Sequence, residues 1–89
     1  MIFMDINQLI AIIKKKIVNQ FVVDSIDIED KSFLHKNHSG NQPGKYHLKI
    51  KIKSDQLKNL NKIESTKKIY KTLDEEMNKF IHSIQILID

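Results

Sequence analysis

The sequence predicts an α+β fold, a two-layer sandwich in which helices cover one face of a three-stranded sheet in the order α-β-β-α-α-β. Three observations predict it. Apolar residues recur at helical spacing from Ile6 to Phe21, strands alternate apolar and polar residues at Ile26–Ile28 and Tyr46–Lys53, and a second long helical pattern gives way to a final alternating run. With 89 residues, 40% of them hydrophobic, there is material for one modest core, and a single domain over residues 1–89 is expected.

The first helix places Ile6, Leu9, Ile10, Ile13, Ile17 and Phe21 on one side and Asn7, Gln8, Lys14, Lys15 and Gln20 on the other. Asp5 followed by Gln8 has the spacing of a capping box. Lys14, Lys15 and Lys16 read as a solvated face towards the end where the helix dipole favours positive charge. In Asp24–Asp30, Ile26 and Ile28 alternate with acids, as in a half-buried strand. Residues 31–45 hold the only Pro and both Gly, which makes them a long loop, and loops of this length in a small domain are commonly functional.

Tyr46, Leu48, Ile50 and Ile52 then alternate with His47, Lys49, Lys51 and Lys53, giving one core face and one basic face. A hairpin with the preceding strand sets Asp27 and Glu29 across from lysines. Ser54-Asp55 caps a short helical or turn segment reaching about Leu60, and Glu64 begins a longer helix with Ile69, Tyr70, Leu73, Met77, Phe80 and Ile81 on its inward face. From His82 onward, Ile84, Ile86 and Ile88 alternate with Ser83, Gln85 and Leu87 as a last strand, returned beside the hairpin by a helical crossover.

Composition narrows the function classes. No apolar run approaches the roughly 20 residues that span a bilayer, and Met1 to Met4 lack the pattern of a secretory signal, so a soluble cytoplasmic protein without a membrane partner is expected. The absence of Cys removes thiolate metal sites, redox dithiols and a Cys nucleophile. A net charge of +4 invites a nucleic-acid reading, but all 15 basic residues are Lys, and Arg, the usual reader of guanine and phosphate, is missing. Acids in the second half of the long helix weaken it as a phosphate-tracking surface.

There is no G-x-S-x-G, Walker A, G-x-G-x-x-G or H-E-x-x-H motif. Asp74, Glu75 and Glu76 point in different directions on a helix and face water, so a binding protein is expected rather than an enzyme. The histidines remain as candidate metal ligands: His35 and His38 in the loop at i, i+3, and His82 where sequence-distant residues can converge. His47, in the lysine row of its strand, reads as an ordinary solvated or hydrogen-bonded residue rather than a ligand.

In this order, several stretches together resemble the BolA family: Asp30-x-Ser-Phe-x-His35, His35-x-x-His38-x-Gly40 ending at Pro43-Gly44, His47-Leu48 opening a strand that ends Ser54-Asp55, Ile69-Tyr70-x-x-Leu73-x-Glu75-Glu76-Met77, and Ile81-His82-Ser83. The paired-histidine loop is most similar to alphaproteobacterial members. The family's basic stretch before Ile-Tyr is replaced by Ser65-Thr66-Lys67, and its Phe-x-Gly by Leu57-Lys58-Asn59.

The resemblance implies a fold similar to class II KH domains and a partnership with a monothiol CGFS glutaredoxin around a shared two-iron two-sulfur (2Fe-2S) cluster. The isolated protein, expected as a monomer, would carry no cluster. His82 matches the family's C-terminal ligand histidine and His35 its loop ligand, with His38 as the alternative, while the thiolates of the other iron belong to the partner. A second role implied by the family is DNA-binding transcriptional regulation. The G-x-x-G grip of a KH domain is missing, since Gly40 and Gly44 lie four apart, which leaves a basic-surface mode. Zinc or copper bound by His35, His38 and His82 alone ranks third.

Overall fold

The computed structural model describes residues 5–32 and 46–89. His35 and His38, and most of the loop expected over 31–45, lie outside the described residues, as do Met1 to Met4.

The order of elements follows the expectation, with one helix divided. Helix α1 (Ile6–Gln20) opens on the capping box read from sequence: the Asp5 carboxylate accepts from the backbone N–H of Asn7, and Gln8 reaches back to the Asp5 N–H. It buries Leu9, Ile13 and Ile17, spaced four apart on one stripe. Lys14 and Lys15 are exposed as expected, but Lys16 departs from the solvated row, because its side chain is held by Glu76.

Strand β1 (Ser25–Asp30) pairs antiparallel with β2 (Tyr46–Lys53), and the register sets Asp27 opposite Lys51 and Glu29 opposite Lys49. Leu48, Ile50 and Ile52 face the core from the other side of β2. The sheet order is β1-β2-β3, so β2 is central and β3 (Ile81–Ile88) lies parallel to it across the helical crossover.

Between them run α2 (Asp55–Lys58), α3 (Lys62–Thr72) and α4 (Asp74–Lys79). Ser54 caps α2 and Asn61 caps α3, which therefore begins at Lys62 and not at Glu64. The expected single helix is interrupted at Leu73, whose backbone leaves the helical region. One residue earlier the Thr72 hydroxyl donates to the carbonyl of Lys68, a bond that bends helices, and the turn seats Leu73 fully in the core. Two expectations for the inward face are corrected: Tyr70 is 38% exposed, and Ile81 already belongs to β3. The apolar stripes of the helices and one face of the sheet share a single cluster containing Leu9, Ile13, Ile50, Leu57, Ile69 and Leu73.

Candidate functional site at the start of the last strand

His82 owes its position to an irregularity in the β2–β3 ladder. Tyr46 is paired with Ile81, yet its neighbour His47 is paired with Ser83, so His82 is the extra residue of a bulge. The Tyr46 N–H donates to the carbonyl of Phe80 at 2.9 Å, which fixes the chain just before the bulge. An extra residue in a strand redirects its side chain, and here the imidazole of His82 is delivered to solvent.

The neighbour of His82 is His47, with ring centroids 4.8 Å apart and the planes tilted by 48°. His47 is the hydrogen-bonded rather than the solvated histidine: it stands in the lysine row of β2 but is 5% exposed, because the end of that row is enclosed while Lys51 and Lys53 remain open. Its Nδ1 lies 2.8 Å from the Ser83 hydroxyl, which can donate to or accept from the ring according to tautomer. Its backbone is anchored as well, the N–H donating to the Ser32 hydroxyl and the carbonyl accepting from the Lys31 N–H. The Ser32 N–H in turn donates to the carboxylate of Asp30. Both ends of the segment 33–45, at Ser32 and Tyr46, are thereby tied to the corner that carries His82.

A shallow hollow of about 390 Å³ lies beside this corner, lined by Lys31, His47, Lys49, Ser83 and Gln85 among others. Its electrostatics are mixed. Lys31 bonds the Glu29 carboxylate at 3.0 Å and, aided by Lys49 and Lys51, holds its pKa below the ordinary value. Tyr46 behaves oppositely: burial first, then the charges of Asp5 and Asp30, push its phenol above the ordinary value.

The remaining acidic candidates also sort themselves. Asp74 and Glu75 face water as expected, but Glu76 is 4% exposed and its carboxylate accepts from Lys16. Among the described residues no group of three or more His, Cys, Asp or Glu could hold a metal. What the corner does offer is one accessible imidazole packed beside a second, buried and hydrogen-bonded one. Sequence reasoning singled out His82 and missed His47, although two histidines on adjacent strands were a signal that could have found it.

The fold is similar to the BolA domain of SufE1 from Arabidopsis thaliana, with a TM-score of 0.75 at 23% identity over 89% of this chain and 87% of that one. It is similar also to BolA1 from Arabidopsis thaliana, with a TM-score of 0.73, the same identity and the same coverage. In sequence the chain is 35% identical over 75 residues to the "DNA-binding transcriptional regulator BolA" of Haemophilus influenzae, a match covering 84% of this chain and 70% of that protein. The family model described as "BolA-like protein" matches residues 17–88, which include β1, β2, all of the crossover and His82, and the chain therefore belongs to the BolA-like family.

Proposed function

We propose that this protein serves iron–sulfur or iron homeostasis by pairing with a monothiol CGFS glutaredoxin around a shared 2Fe-2S cluster, with His82 as one of its iron ligands. The observation that carries the reading is the exposed His82 ring, set out by the bulge and standing where both ends of the segment bearing His35 and His38 are anchored. The donor chemistry fits a shared site: His82 offers iron one accessible imidazole, half of a ligand pair.

Within this reading His82 would hold iron through a ring nitrogen, and His47 would limit the tilt of that ring from behind. Ser83 and Ser32 keep His47 in place. His35, or alternatively His38, supplies the second ligand from this chain. When bound, the cluster would supply electron transfer or a source of iron and sulfide.

The test is to mix the protein with a CGFS glutaredoxin, glutathione, iron and sulfide and follow the visible spectrum of the heterodimer. His82→Ala is expected to shift it. An unchanged spectrum rejects the ligand assignment, and His35→Ala and His38→Ala, compared side by side, identify the loop ligand.

A second reading, DNA binding, is supported by the name of the Haemophilus influenzae relative and by the break at Leu73. That break separates exposed Lys62, Lys67, Lys68 and Lys71 on α3 from Asp74 and Glu75 on α4, so α3 is more basic than the undivided helix. On the sheet, by contrast, the lysine row is flanked by Asp27 and Glu29. Titration of duplex DNA at two salt concentrations decides it: a lysine-driven complex weakens steeply with salt, and no binding at low salt removes the reading.

A further inference from the structure

The two outer strands of the sheet are protected very differently. β1 carries Asp27, Glu29 and Asp30, charges that discourage another chain from pairing along its edge. β3 reads Ile-His-Ser-Ile-Gln-Ile-Leu-Ile, with no Lys, acid, Pro or Gly over its whole length. Such a segment has the composition that recruits a further strand when its edge is open.

The edge is open. Asp89 turns both backbone groups towards β2, its N–H to the carbonyl of Ile52 at 2.8 Å and its own carbonyl to the N–H of Ser54 at 3.0 Å. Strand alternation then points the N–H and C=O groups of Ile84, Ile86 and Ile88 away from β2, and among the described residues no hydrogen bond outside the ladder reaches them. Beside the C-terminal half of this edge runs a groove of about 430 Å³. Leu57, Leu60, Ile86 and Ile88 give it an apolar floor, and Lys51, Lys58 and Lys62 line it together with a single acid, Asp89.

We propose that the outer edge of β3 and this groove form a docking site for an extended segment of a partner protein, rich in alternating apolar and acidic residues, which adds to the sheet as a fourth strand. Open backbone donors and acceptors bind the peptide main chain, the groove takes its apolar side chains, and the three lysines, which outnumber Asp89, select acidic residues. A single-stranded nucleic acid is disfavoured here, because no aromatic side chain for base stacking lines the groove among the described residues. A second copy of the chain lacks the charge match, since its β3 offers no acid to the lysines until Asp89.

The site is independent of His82 and is tested separately. A short fluorescein-labelled peptide of alternating valine and glutamate is titrated with the protein and followed by anisotropy. Saturable binding is expected, reduced about tenfold or more by Lys58→Glu/Lys62→Glu, a pair of exposed positions that leaves the fold intact. Ile86→Pro, which removes one outward N–H and is tolerated on an edge strand, is expected to weaken it likewise. The proposal is overturned by absence of saturable binding, by equal affinity in the lysine variant, or by equal affinity for a valine–lysine peptide. Tighter binding of oligothymidylate through the same lysines, or dimerisation of the protein through β3 in its place, also overturns it.

Discussion

The ammonium of Lys16 on α1 meets the carboxylate of Glu76 on α4 at 2.6 Å, at a point where Glu76 is only 4% exposed. Lys16 also lies 3.8 Å from Glu75, and the second oxygen of Glu76 has no hydrogen-bond partner among the described residues. The first helix and the last are thus joined by a pair whose anion has left water, and such an anion depends on its cation far more than a surface carboxylate does. Lys16→Met is expected to lower stability by about 2 kcal/mol in urea denaturation, because it leaves Glu76 buried and uncompensated. Adding Glu76→Leu to that variant is expected to restore most of the loss, since the apolar pair has nothing to desolvate.

Ser54 performs two tasks with one hydroxyl. It accepts from the Leu57 N–H as the cap of α2 and donates to the carbonyl of Val22 at 2.6 Å, while Gln56 accepts from the Val22 N–H. Ser54→Ala is expected to lower stability by about 2 kcal/mol, the sum of a lost cap and a lost hydrogen bond to the Val22 carbonyl. Ser54→Thr keeps the hydroxyl and should lose less, which thermal denaturation of both variants will show.

Glu29 provides an acid-side pH dependence with a defined sign. Its folded pKa is depressed, mainly by the hydrogen bond from Lys31, so its contribution is present above the ordinary glutamate pKa and disappears as pH falls through the depressed folded value. In Lys31→Met, carbon NMR of the Glu29 carboxyl is expected to show the titration midpoint moving up towards the ordinary range.

Tyr46 provides the alkaline counterpart. Burial raises its folded pKa above the ordinary 10.0, so the folded chain holds the phenol neutral after an unfolded chain would release the proton. Its contribution is present below the ordinary pKa and is lost as pH rises through the folded value. The phenolate absorbance of Tyr46 is expected to appear at higher pH than in urea-unfolded protein, and Tyr46→Phe should remove this phase.

Much of the fold was legible because local chemistry and global packing agree. Asp5 with Gln8 announced the first helix, the alternation around Ile50 announced its strand, and the acids of one strand facing the lysines of the next announced the hairpin, whose register, Asp27 with Lys51 and Glu29 with Lys49, is fixed only in the fold. The misread positions depend on tertiary events that periodicity does not carry. Thr72 has an ordinary helical context in sequence, yet its bond to the Lys68 carbonyl precedes the break at Leu73. Glu76 looks like any acid in a charged run until α1 brings Lys16 over it. His47 obeys the parity of its strand, but a one-residue register shift against β3 decides that it is enclosed beside His82. Of the candidate ligands, His82 lies among the described residues and stands exposed at the start of its strand.

The parallel pairing of β2 with β3 also governs the order in which the molecule can assemble. The β1–β2 pairing joins strands adjacent in sequence, whereas Tyr46 and Ile81 can meet only after the chain has closed around three helices. Such long-range closure is entropically the later step, so β3 is expected to gain protection last in pulsed hydrogen exchange. His82 and His47 then come together only as folding completes, and a nascent or partly folded chain displays the histidines without the geometry that joins them.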